Sequence, residues 1–174
     1  MFYLNNERVK LVHLNIRTEK HGEDDVRAVD LKFERVGSSA ILDEILPGIR
    51  PALYRGGHAG EQVDAFNGEL TTLAFPDLEM PLKISGEWPG YVASIVTGFD
   101  EDDALVLTGE FKKSRVEAVA GGSAKHEFTL STYPEDHDIA KLAAALGHEV
   151  ELTLAPPAPR ASNDTEGGED LEAA

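Results

Sequence analysis

The sequence predicts a mainly β protein: an antiparallel barrel or sandwich, OB-like or jelly-roll-like, of about eight strands with two short helices. Three observations carry this prediction. Apolar and polar residues alternate over much of the chain, as half-buried strands require. Between Trp88 and Tyr133, three turn signals cut that alternation into a meander: Trp88-Pro89-Gly90, the acidic run Asp100 to Asp103, and Ala120-Gly121-Gly122-Ser123. A strong helical repeat occurs once, after Pro134.

The elements follow in chain order. Val12, Leu14 and Ile16 alternate with His13, Asn15 and Arg17 in a first strand (9–17), and Val29, Leu31 and Phe33 with Asp30, Lys32 and Glu34 in a second (26–36). The polar stretch Thr18 to Asp25 between them reads as a long hairpin loop. Ser38 or Ser39 is positioned to cap a short helix whose Ile41, Leu42 and Ile45 share a face and which Pro47-Gly48 stops. Another short turn is expected from Ile49 to Tyr54, followed by a glycine-rich loop from Arg55 to Gly68. Leu70 to Phe75 and Leu82 to Ser85 read as short strands, and the meander strands are Tyr91 to Val96, Leu105 to Val116 and Lys125 to Thr132. In the helix that follows, Pro134 suits the first position, and Glu135, Asp136 and Asp138 complement the positive end of the dipole. Ile139, Leu142, Ala143 and Leu146 form its apolar stripe and Gly147 its end. Val150, Leu152 and Leu154 alternate in a last strand. The expected organisation is one β-rich domain over residues 1–155 and a flexible acidic tail over residues 156–174.

Charge is the dominant compositional fact. Lys and Arg number 16 against 32 Asp and Glu, net −16. Residues 1–55 balance nine basic against nine acidic side chains, residues 56–155 carry six against eighteen, and residues 156–174 one against five. Such a surface repels phosphate backbones at long range, so generic nucleic-acid binding is disfavoured; solubility, a basic protein partner, or mimicry of nucleic-acid charge fits it better. There is no cysteine, which excludes disulfides and thiolate metal sites and suits the cytoplasm. No basic-then-apolar leader opens the chain and no run of about 18 apolar residues occurs, so neither a signal peptide nor a membrane-spanning helix is expected.

The motifs Asn15-Ile16-Arg17-Thr18-Glu19-Lys20-His21-Gly22-Glu23-Asp24, Ala28-Val29-Asp30-Leu31-Lys32 and Leu46-Pro47-Gly48-Ile49-Arg50-Pro51-Ala52-Leu53-Tyr54 resemble those of small proteins of uncertain function from tailed bacteriophages and prophages. The resemblance covers about residues 8–55, with a looser match in the last strand. It implies a phage origin and a host-cytoplasm location, and brings no functional residues with it.

Catalytic signatures for phosphate binding, zinc hydrolysis and acyl transfer do not occur, and no nucleophile or acid–base pair stands out, so an enzyme is not expected. His13, His21, His58, His126, His137 and His148 are scattered and read as surface or loop residues, and Glu23 to Asp25 and Asp100 to Asp103 lack calcium-loop spacing; no metal or other cofactor is expected. One basic cluster interrupts the acidity: Lys112, Lys113 and Arg115 follow Phe111. With Lys125, and with Trp88 and Tyr91 if the sheet curls, it would make the basic, aromatic-edged strip that single-strand binders use. The competing reading puts the three aromatics in the core and has the lysines guarding an exposed strand edge. A β-rich body followed by an acidic tail, here with Glu166, Glu169, Asp170 and Glu172, is also the layout of phage and bacterial single-stranded-DNA-binding proteins, although their terminal aromatic or proline-phenylalanine anchor is missing.

The function expected from the sequence is a non-enzymatic phage accessory protein of DNA replication or recombination, with single-stranded-DNA binding as its most specific form. The alternatives are an acidic module that binds a basic protein by mimicking nucleic-acid charge, and a virion component that self-assembles. The expected partners are therefore single-stranded DNA or a basic protein, with oligomerisation open and no membrane.

Overall fold

The structure, a computed structural model, describes residues 2–56, 71–98 and 104–158. Strands β1 (Leu4–His21) and β2 (Asp24–Ser38) form a hairpin, followed by α1 (Ile41–Ile45), α2 (Ile49–Leu53), β3 (Tyr54–Arg55) and β4 (Thr72–Leu73). The meander β5 (Leu82–Val96), β6 (Leu105–Val119) and β7 (Ser123–Thr132) comes next, then α3 (Asp136–Ala144) and β8 (Glu149–Ala155). Six strands close an antiparallel barrel in the order β1-β2-β7-β6-β5-β8, and β3 pairs with β4 in a separate small sheet. The mainly β, antiparallel expectation holds. Closure depends on β8, which pairs with β1 on one side and β5 on the other. A closed barrel has no edges to protect. β6 has a partner on both sides, so its lysines do not guard an edge.

The first hairpin is longer and tighter than expected. Thr18 to His21 stay paired with Asp24 to Arg27, and only Gly22-Glu23 turn, with Gly22 at φ +69°. Its polar residues are held by cross-strand pairing on a solvated surface, where Arg17 bonds both Asp30 and Glu19. Burial raises the Asp30 pKa, but hydrogen bonds from Arg17 and Ser131 outweigh it and hold the carboxyl at about 2.

The meander carries the most informative departure from regular alternation. In β6, Leu105, Leu107 and Phe111 point inward, and so do Val116 and Ala118, although Phe111 and Val116 are an odd number of residues apart. A strict period of two would turn one of the two sets outward. A β-bulge resolves the conflict: the β6–β7 register shifts between Lys112 and Arg115, and Lys113 takes the left-handed φ of +54°. β5 compensates twice, between Ile84 and Glu87 and between Trp88 and Tyr91, where Gly86 (φ +140°) and Gly90 (φ +81°) supply the backbone freedom. The stretch Trp88-Pro89-Gly90 is thus a bulge inside one long strand, and the expected strand Leu82 to Ser85 is the beginning of that strand.

Each end of the barrel is covered differently. At one end α3 packs Ile139, Leu142 and Ala145 onto the main core, which includes Leu11, Leu31, Leu105 and Leu152. This stripe corrects the expected one, because Ala143 and Leu146 are exposed. The helix starts at Asp136 with Glu135 at its N-cap, and Gly147 donates its N–H to the Leu11 carbonyl. At the other end, α1, α2, β3 and β4 form a lid with its own core of Ile41, Leu42, Leu53, Tyr54, Val116, Ala118 and Ala124. Neither Ser38 nor Ser39 caps α1 through its side chain; Ser39 is buried, and its hydroxyl accepts from Arg50 Nε at 2.9 Å. The run Asp100 to Asp103, His58 and the tail residues Glu166, Glu169, Asp170 and Glu172 lie outside the described residues.

Candidate functional site

The expected strip is divided by the barrel wall. Phe111 and Tyr91 are buried inside, with ring centroids 5.2 Å apart and planes 28° apart, and Tyr91 donates to the Phe2 carbonyl at 3.0 Å. Neither presents a face on the outer surface. Trp88 is half-buried, 5.4 Å from Phe111. Its indole lies over Gly86, where an added Cβ would come within 2.3 Å of the ring.

The cations also divide. Lys125 contacts Glu34 at 2.7 Å and Glu127 at 3.0 Å, and these two carboxylates raise its pKa. Lys112 contacts Glu110 at 3.2 Å, and its side chain is only 14% exposed. Their positive charge is largely compensated where it stands. Lys113 and Arg115 differ: neither has an ion-pair partner among the described residues. Arg115 is paired in register with Glu127, but that carboxylate is held by Lys32 at 2.8 Å and by Lys125.

A third cation without an ion-pair partner among the described residues joins them. Lys83 of β5 sits directly opposite Arg115. Counted without interruption from the Ile95–Leu105 pair, the register would set Lys83 opposite Glu117; the two β5 bulges carry it to Arg115 instead. Lys83, Lys113 and Arg115 line an outer groove of about 360 Å³ together with Ser85, Gly86 and Glu87. Ile84, Ser85 and Ser114 belong to this groove and also to a deeper cavity of about 460 Å³, whose walls include Phe2, Ile45, Trp88, Tyr91 and Phe111. The bulges therefore put an aromatic cavity and a basic groove back to back. A larger space of about 650 Å³ near Leu53, Phe75 and Leu78 has no basic side chain among the described residues of its lining.

Ser114 stands at the junction, and its Oγ lies 2.9 Å from Nε2 of the fully buried His126. His126 corrects the expectation of surface histidines: β7 turns it inward, beside Phe2 and Phe128. Burial, reinforced by the Arg35 charge, pushes its pKa down to about 3 against the opposing pull of Glu127, so the ring is neutral at pH 7. Its Nδ1 has no hydrogen-bond partner among the described residues. Among the described residues, the one acidic wall residue of the deeper cavity, Glu44, is compensated by Arg35 at 2.6 Å.

Sequence reasoning missed Lys83, Ser85, Ser114 and His126. The inward positions Phe111 and Val116, odd in spacing, were the available signal: they demand a bulge between them. Among the described residues, no group of three or more His, Asp or Glu side chains is placed to hold a metal, and no helix is long and apolar enough to cross a membrane. No protein family, curated protein or solved structure matches the chain.

Proposed function

We propose that this chain is a non-enzymatic accessory protein of phage DNA replication or recombination, acting in the host cytoplasm by binding single-stranded DNA along the groove of Lys83, Lys113 and Arg115. The observation that carries this reading is the gathering, on one wall of a chain whose net charge is −16, of three cations that have no ion-pair partner among the described residues, with Glu87 the one carboxylate beside them in the groove's described lining. Two of the five meander cations, Lys112 and Lys125, are spent on neighbouring carboxylates, so the remaining positive charge of the meander is confined to this groove. Confinement suits a single strand, whose phosphates can follow a narrow path, better than a duplex, which would press its charge against the surrounding acidic surface.

The test is fluorescence anisotropy of a labelled single-stranded oligonucleotide at low and moderate salt. Each neutralised phosphate adds roughly −0.7 to the slope of log affinity against log salt, so three contacts predict a slope of about −2. Lys113→Glu with Arg115→Glu is expected to weaken binding by at least about tenfold at low salt. Lys125→Gln, which removes a compensated charge, should leave binding nearly unchanged. Failure to bind at low salt would sink this reading and turn attention to the acidic faces and a basic protein partner.

A further inference from the structure

Resting on that reading, we infer that the cavity behind the groove is a receptor for one unstacked nucleobase, taken from the strand whose phosphates lie on Lys83, Lys113 and Arg115. The cavity holds about 460 Å³, within the range of small-molecule sites, and shares Ile84, Ser85 and Ser114 with the basic groove, so a base and its own phosphate can occupy the two compartments at once. A base pair cannot enter without separating, which makes the compartment selective for single strands.

The chemistry fits a flat heteroaromatic ring. Trp88 supplies an indole fixed in place by Gly86 beneath it and Phe111 beside it, so little ordering remains to be done on binding. Phe2, Tyr91 and Phe111 continue an apolar lining that rewards burial of a ring face. Two hydroxyl residues, Ser85 and Ser114, stand at the seam, and the Ser114 hydroxyl, held by His126, can meet a polar atom on the base edge. Lys113, kept in the left-handed region at φ +54°, is what allows Ser114 to face the cavity while its own side chain faces the groove. Strained backbone of this kind concentrates at working sites.

Trp88 is the only tryptophan in the chain, so its emission reports on this cavity alone. The full-length protein is titrated with two single-stranded oligonucleotides of equal length, one intact and one abasic throughout, with anisotropy and Trp88 emission read together. The intact strand is expected to change Trp88 emission on binding, and the abasic strand to bind roughly tenfold more weakly, the loss of one base–aromatic stack, without that change. In Gly86→Ala the displaced indole should bring the intact strand down to the abasic level. Equal affinity of the two strands with unchanged Trp88 emission would overturn the base receptor and leave the phosphate groove standing. No binding of either strand would overturn both. The two-strand comparison on the unaltered protein decides the matter even if Gly86→Ala does not fold.

Discussion

The two ends of the barrel solve the same problem in opposite ways. At the α3 end the opening is sealed by Ile139, Leu142 and Ala145, apolar side chains packed directly on the main core. At the other end, a lid of two short helices and a two-stranded sheet carries its own core, and this end also has a cavity, two bulged strands, a left-handed lysine on the outer wall and a buried histidine whose Nδ1 has no hydrogen-bond partner among the described residues. The first end is built for burial. The second accepts strain and imperfect polar satisfaction, costs that a purely structural seal would not carry.

The largest expected effect belongs to the sealed end. Leu142 is fully buried, so Leu142→Ala should cost about 2–5 kcal/mol in denaturant unfolding while leaving oligonucleotide affinity unchanged at a temperature where the variant is folded. A comparable loss of affinity in the folded variant would break the division between the ends.

A smaller effect separates the ends by pH. The folded pKa of His126, about 3, lies below that of an unfolded histidine, near 6.5. As pH falls through that window the unfolded chain takes up a proton that the folded chain refuses, so stability drops. Each pH unit well inside the window costs about 1.4 kcal/mol, or about 2 kcal/mol between pH 6 and pH 4.5. His126→Gln, which cannot titrate, should lack this share of the slope, as chemical denaturation at a series of pH values would show. Keeping to pH 4.5 and above leaves out Asp30, whose contribution is lost only as pH falls below about 4 towards 2. An unchanged slope in the variant would mean that the buried histidine is not the titrating group.

The smallest effect sharpens the assignment of strain. Glycine accepts φ +54° without the penalty of a Cβ, so Lys113→Gly should raise stability by up to about 1 kcal/mol in thermal melts while weakening oligonucleotide binding by the loss of one cation. Gain in stability with loss of binding is the signature of a position kept for function. A loss of stability would instead show that the Lys113 side chain supports the bulge.

Much of the architecture was legible in local pattern. Alternation in Val29, Leu31 and Phe33, the turn at Gly121-Gly122, and the spacing of Ile139 and Leu142 each follow from the short-range geometry of strands, turns and helices, which a few neighbouring residues decide. The apolar composition and the closely spaced basic residues of β6 were equally plain. The tertiary structure alone decided which cations gather in one groove. Lys112, Lys113, Arg115 and Lys125 look alike along the chain, yet Lys125 sits between Glu127 of its own strand and Glu34 across the sheet, while register sets Lys83 opposite Arg115. That register depends on three bulges in two neighbouring strands and on a barrel closed by its last strand, β8, so no local window contains it. Side-chain identity is a property of the chain, but the company a charge keeps is a property of the fold.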